Sequence, residues 1–183
     1  MKSAFWTLMI AAALSALVIG GIHLLTKSRV EDNQQAYATQ ILKTVIPRDD
    51  IELSLQQARL PYYTVHEAGH LIGVLFGVST KQGYNGRIEA WLAVGLDHEV
   101  LGVQTTFHQE TPGLGDFINP GKQWSHQFFD KRLKAARFEL RQEGGDFDGV
   151  TGATVTSRAY TRMIQTGIDH PAMTELAQGK DSD

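Results

Sequence analysis

Two stretches of this 183-residue chain carry residue types that could do chemistry. The first is Thr64 to Gly73, TVHEAGHLIG, in which His66-Glu67-Ala68-Gly69-His70 has the H-E-x-x-H spacing of a zinc peptidase. That pattern needs a helix, where residues i and i+4 share a face and present two imidazoles to Zn²⁺ with the Glu as general base. The second is Asp148-Gly149-Val150-Thr151-Gly152-Ala153-Thr154, followed by Val155-Thr156-Ser157. It is a hydroxyl-rich loop running into a helix N-terminus, where unpaired N–H groups and the helix dipole favour a phosphate. Asp148 would be repelled by that phosphate unless a metal or a proton intervened. As an ordinary loop, the same stretch would let Thr156 or Ser157 cap a helix and Asp148 close a turn.

The elements around the histidines decide the first case. Gly69, Gly73 and Gly77 punctuate a run of β-formers, which is unfavourable for a helix interior. We place His66 and His70 on either side of a turn at Ala68-Gly69. The metzincin extension H-E-x-x-H-x-x-G-x-x-H keeps Gly73 but holds Phe76 at its third ligand position, and Glu89 is the remaining ligand candidate. A catalytic zinc needs three protein ligands around an open fourth site. We read the motif as accidental and both histidines as solvated turn residues.

The surrounding chain has the texture of hairpin-linked strands. Tyr62 to Glu67, Leu71 to Thr80, Arg87 to Gly95 and Val100 to Phe107 are rich in Val, Ile, Leu and aromatics, and AG, QGYNG and LDHE separate them. Pro112-Gly113-Leu114-Gly115 marks a tight loop. A short helix is expected over 122–132, another strand over 136–141, and a Gly-rich loop over 143–152. Thr156 or Ser157 would then cap a last helix from Arg158 to about Ile168, with Ala159, Met163, Ile164 and Ile168 on its apolar face.

At 42% hydrophobic content the chain can bury one real core, and one domain is the expectation. A net charge of −3 with pI near 6.1 gives no electrostatic reason to expect nucleic acid. The absence of Cys removes disulfides, Cys-ligated zinc and cysteinyl iron–sulfur clusters, so redox chemistry in this chain requires a bound cofactor. Phe5 to Leu25 contains no Asp, Glu, Lys or Arg and is long enough to cross the hydrocarbon core as a helix. We read 1–27 as a retained transmembrane anchor, 28–60 as a helical connector whose helix, from Glu31 to about Val45, Pro47 should end, 61–175 as the domain, and 176–183 as a flexible tail. Lys2 on one side against Lys27 and Arg29 on the other leaves the orientation open.

DGVTGAT resembles the Dxx(S/T)GAT flavinylation motif of the family formed by the Rnf G subunit and the Nqr C subunit, and two more stretches follow the family in order and spacing. His108-Gln109-Glu110-Thr111-Pro112-Gly113-Leu114-Gly115-Asp116 is similar to its H-x-E-T-P-G-L-G-D loop, and Gly83-Tyr84-Asn85-Gly86-Arg87-Ile88 to its G-Y-x-G-x-I. The resemblance covers the anchor and most of the chain from Pro61 to Ile168. The short chain and single anchor are closer to the G subunit of Rnf than to the C subunit of Nqr.

The resemblance implies an α+β fold: one N-terminal transmembrane helix followed by an FMN-binding domain, over 61–175, with antiparallel strands flanked by helices. It implies FMN attached by a phosphoester to Thr154, placed there by an ApbE-type flavin transferase, with Asp148, Thr151, Gly152, Ala153, Thr156 and Ser157 around the attachment point. Glu110, Thr111, Gly113, Leu114 and Gly115 would form a second wall, with Glu110 and Thr111 facing the polar edge of the ring. A protein of this family carries electrons within a membrane complex that couples ferredoxin and NAD to ion movement, and has no acid, base or nucleophile of its own. Its partners would be the other membrane subunits of Rnf, the D subunit in particular, and the iron–sulfur subunits. The domain would face the periplasm from the bacterial inner membrane. The competing readings are a zinc peptidase at His66 and His70 and a cofactor-free tethered scaffold.

Overall fold

The computed structural model describes residues 44–179 and Leu42, together with Trp6, Met9 and Ser15. The expected anchor over 1–27 and the connector before Leu42 lie outside the described residues apart from those three positions. Among the described residues no helix is long and apolar enough to cross a membrane.

Five strands form one antiparallel sheet in chain order: β1 (Ile51–Gln56), β2 (Tyr62–Glu67), β3 (His70–Gly83), β4 (Gly86–Gly95) and β5 (Val100–His108). Strands β2 to β5 lie where the runs of Val, Ile, Leu and aromatics and the turn segments between them place them. Two hairpins make the pairing local. Glu67 faces His70 across Ala68-Gly69, whose φ values of 50° and 79° suit a two-residue hairpin turn, and Gly83 faces Gly86 across Tyr84-Asn85. His66 and His70 therefore sit on paired strands, and the shared helical face that H-E-x-x-H chemistry needs does not form.

One face of the sheet supplies Val74, Phe76 and Val78 from β3, Ile88, Ala90, Leu92 and Val94 from β4, and Val103 from β5. Helix α1 (Thr154–Gln165) packs on it through Ala159, Tyr160, Met163 and Ile164. Helix α2 (Pro171–Gly179) adds Ala172 and Met173. On the other face, buried Val45 and Ile46 cross β5 at Gly102, where a Cβ would lie 1.9 Å from the Val45 carbonyl oxygen.

Several expectations are corrected. Strand β1 occupies part of the stretch expected as a helical connector, because Ile51, Leu53 and Leu55 alternate with Glu52, Ser54 and Gln56 at the period of a strand. The stretch over 122–132 forms only a 3₁₀ segment, Gln123–Phe128. No strand forms over 136–141. There the Leu140–Phe147 bridge and Phe147, stacked on Phe128 and tilted against Phe138, hold the chain without a ladder. Helix α1 begins at Thr154 rather than Arg158, with Ala153 at its N-cap and no side-chain cap, so Thr156 and Ser157 lie inside its first turn. Helix α2 runs to Gly179, past the boundary expected for a flexible tail at 176, and Pro171 opens it as Pro commonly opens a helix.

Candidate cofactor site

Three separate pieces of chain meet at a cleft of ≈ 400 Å³. The tip of the β3–β4 hairpin brings Tyr84, the loop after β5 brings Glu110, Thr111, Leu114 and Gly115, and the start of α1 brings Gly152 to Thr156. Eight of the twelve residues expected at a cofactor site line it. Asp148, Thr151, Gly113 and Ser157 do not, and Tyr84 and Val155, which were not expected there, do. Tyr84 stands inside one of the matched motifs, so its type and place were visible, while Val155 carries no sequence signal beyond lying between two threonines.

Glu110 ties the three pieces together. Its side chain is buried at 5% exposure, and its carboxylate accepts from the backbone N–H of Tyr84 at 3.2 Å and of Asn85 at 3.0 Å. The Thr156 hydroxyl donates to the same carboxylate. A buried carboxylate is tolerated when donors surround it, and here they come from a hairpin tip and a helix start. Glu110 was expected to offer an acceptor to a ring edge; in the structure both its oxygens are engaged by the protein. Thr111 Oγ1 likewise accepts from the Asn85 side-chain amide at 3.0 Å.

The loop after β5 is shaped by its glycines. Pro112 and Gly113, the latter at φ +82°, occupy the centre of a turn closed by the Leu114 N–H on the Thr111 carbonyl at 3.0 Å. Gly115 lies so close under Glu110 that a Cβ there would fall 2.2 Å from the Glu110 Cβ. Just before the loop, His108 Nδ1 accepts from the Glu110 N–H at 3.2 Å, which leaves Nε2 to donate to Asn119 Oδ1 at 2.7 Å. His108 is thereby held as a structural link behind the wall.

The third wall is equally fixed. The Ala153 N–H closes a turn on the Val150 carbonyl at 2.9 Å with Gly152 at φ +84°, a value glycine adopts without strain. Ser157 Oγ accepts from the Val150 N–H at 3.1 Å and donates to the Ala153 carbonyl at 3.0 Å. Upstream, the Asp148 backbone is bonded to Trp124 and Gln127, while its carboxylate points outward to Arg141 Nε at 2.7 Å.

Among the three hydroxyls at the start of α1, Thr156 and Ser157 are engaged, and Thr154 faces the cleft, half-buried. The first N–H groups of a helix lack intrahelical partners, and Ala153 has no side-chain oxygen to satisfy one. The cleft floor thus offers N–H donors beside a free hydroxyl. Tyr84, Leu114 and Val155 rim it as exposed apolar side chains, at 69%, 51% and 43% exposure. Tyr160, one helical turn and a half deeper, is fully buried; burial pushes its phenol up to about 12, so it stays a neutral part of the core.

Comparison with known proteins gives the same frame. A family model described as the FMN-binding domain matches residues 83–169, which include all three walls. The G subunit of the ion-translocating oxidoreductase complex of Shewanella baltica (strain OS223) is 33% identical over 178 residues, covering 85% of this chain and 84% of that protein. The protein of the same name from Shewanella oneidensis is 34% identical with the same coverage, and that from Vibrio atlanticus 33% identical over 89% of this chain and 86% of its own. Among solved structures, Shewanella oneidensis NqrC superposes with a TM-score of 0.54 at 21% identity, covering 74% of this chain and 73% of its own, which shows a shared fold. A five-stranded meander carrying a three-walled cleft inside an FMN-binding domain, with relatives of one name along nearly the whole length, places this chain in the family of the G subunit of the ion-translocating oxidoreductase complex.

Proposed function

We propose that this chain carries FMN through a phosphoester on Thr154 and serves as an electron carrier in a membrane-bound, ion-translocating ferredoxin:NAD oxidoreductase of the Rnf type. The observation that carries the reading is the position of Thr154: first residue of α1, facing the cleft, with the neighbouring hydroxyls engaged elsewhere. A phosphate on its Oγ1 meets the unpaired N–H groups and the positive end of the helix dipole.

The residues present suit the group. A cleft of ≈ 400 Å³ lies within the range of small-molecule sites, and the apolar rim of Tyr84, Leu114 and Val155 suits a planar ring. FMN supplies the electron chemistry when bound; the chain holds, orients and screens it. Attachment forms an Oγ1–P bond at Thr154 as the pyrophosphate bond of FAD breaks, AMP leaves and the hydroxyl proton passes to solvent. An ApbE-type flavin transferase performs this step. Residues 5–25 anchor the protein as a single span of the bacterial inner membrane, and the domain faces the periplasm beside the other membrane subunits, the D subunit in particular, and the iron–sulfur subunits.

The test is intact-mass spectrometry of the chain produced with its flavin transferase, followed by peptide mapping. One FMN, less water, on the peptide holding Thr154 is the expected result. A chain that carries no acid-stable flavin under those conditions would return the reading to a cofactor-free scaffold.

A further inference from the structure

The Asp148 backbone at the head of the attachment loop is gripped from outside the loop. Gln127 pairs with it as a neighbouring strand would: Oε1 accepts the Asp148 N–H at 2.6 Å, and Nε2 donates to the Asp148 carbonyl at 3.3 Å. Trp124 Nε1 donates to the same carbonyl at 2.8 Å. The indole cannot swing away, since it packs edge-on against Phe117 at 4.7 Å, Phe128 at 5.3 Å and Tyr160 at 5.6 Å between ring centroids. At the other end of the loop, Ser157 holds Val150 and Ala153.

With its backbone held this way, Asp148 has no need of its side chain to shape the loop. The carboxylate is 66% exposed and, among the described residues, paired with the equally accessible Arg141, a surface pairing that an incoming protein can displace easily. The loop therefore presents an outward carboxylate and the Thr154 hydroxyl in a fixed mutual relation before any cofactor arrives.

We propose that Gln127 and Trp124 are positioning residues for flavin attachment: they preform the 148–153 loop so that the transferase meets the Thr154 hydroxyl in one conformation. The inference rests on Thr154 being the acceptor. Neither residue touches the cleft, so neither acts on the flavin itself. Their effect is on how often the loop is presented correctly.

The experiment compares the flavin-free full-length chain, purified in detergent, of wild type, Gln127→Ala, Gln127→Glu and Trp124→Phe, with Val103→Ala as a control that weakens the core away from the loop. Attachment is followed with limiting flavin transferase and FAD by flavin fluorescence in denaturing gels, and amide hydrogen exchange is measured at Asp148, Val150 and Ala153. Gln127→Ala and Trp124→Phe should each slow attachment about tenfold, the scale of one lost hydrogen bond in the reacting conformation, and should speed exchange at those amides. Gln127→Glu keeps the acceptor for the Asp148 N–H and should fall between. Val103→Ala should lower the Tm and attach at the wild-type rate. Trp124→Phe keeps the ring packing and decides the matter if Gln127→Ala does not fold. Wild-type rates in both clamp variants, or an equal slowing in Val103→Ala, overturn the inference while leaving the attachment reading intact. Absence of FMN from Thr154 in the wild type overturns that reading instead.

Discussion

The Thr156 hydroxyl donates to the carboxylate of Glu110, a residue 46 positions earlier in the chain, and both are buried. This one bond fastens the start of α1 to the loop after β5, while the other oxygen contacts of Glu110 fasten that loop to the β3–β4 tip. Replacing Glu110 by Ala strands two backbone N–H groups and one hydroxyl. Unfolding in urea should show a loss of roughly 3 kcal/mol or more, at the upper end for a buried charged acceptor. Glu110→Gln preserves volume and removes the negative charge from the cleft wall. A fixed anion opposes the addition of an electron nearby, so the flavin potential should rise in Glu110→Gln. A redox titration that overlays the wild type would place Glu110 outside the field felt by the ring.

The two threonines of the first helical turn should separate cleanly. Thr154→Val loses the proposed acceptor oxygen with little change in shape, and covalent flavin should disappear while the circular dichroism and Tm stay close to wild type. Thr156→Val leaves Glu110 with a missing donor and should cost on the order of 1–3 kcal/mol while FMN is still attached at Thr154. Flavin fluorescence in a denaturing gel of Thr154→Val would move the attachment point elsewhere.

Glycines at the cleft differ in what they protect. At Gly115 an added Cβ meets the Glu110 side chain and backbone, with the nearest atom at 2.2 Å, so Gly115→Ala must push Glu110 off its three donors. At Gly152 the nearest atom, Leu114 Cδ2, lies at 3.7 Å and the difficulty is the left-handed φ alone. Gly152→Ala should therefore cost about 1–2 kcal/mol, and Gly115→Ala more. Equal losses in chemical denaturation would contradict the close approach at Gly115.

Stability should decline in mild acid partly through His170. Its ring stacks on Phe76 at a centroid distance of 3.8 Å, and Nδ1 accepts the Ala172 N–H at 3.2 Å. Burial holds its pKa below the ordinary 6.5, with Glu175 opposing weakly. The unfolded chain then binds the proton first, so this contribution is complete above about pH 6.5 and is lost as pH falls from there through the folded value. Melting curves from about pH 7.5 to 5.5 should drop more steeply for wild type than for His170→Gln. Parallel slopes would show that other groups carry the dependence.

The strands that were legible in the sequence are those whose signals are local. β2 to β5 are runs rich in Val, Ile, Leu and aromatics set between turn segments, and the structure reproduces them to within three residues. β1 alternates Ile51, Leu53 and Leu55 with polar residues, but it follows directly on a stretch of helical spacing that masks where the period changes. The 123–147 region gave false signals since its order comes from ring packing among Phe128, Phe138 and Phe147, which has no sequence period. At the cleft, the motifs marked both loops and the helix start. The role of Glu110 was not legible, because it depends on backbone donors from a hairpin 25 and 26 residues away. Likewise nothing local connects Gln127 to Asp148.

The sheet order has a consequence in time. Each strand pairs with its sequence neighbour, across two-residue turns at Ala68-Gly69 and Tyr84-Asn85, so the meander closes through short loops that form quickly. The Glu110–Thr156 bond spans 46 residues and cannot form until the hairpins are paired and the helix has docked. The cleft therefore requires both the paired hairpins and the docked helix to be in place. A transferase that recognises the finished cleft would load only chains that have formed it, and the flavin proposed on Thr154 would then be a record of successful folding carried by each molecule thereafter.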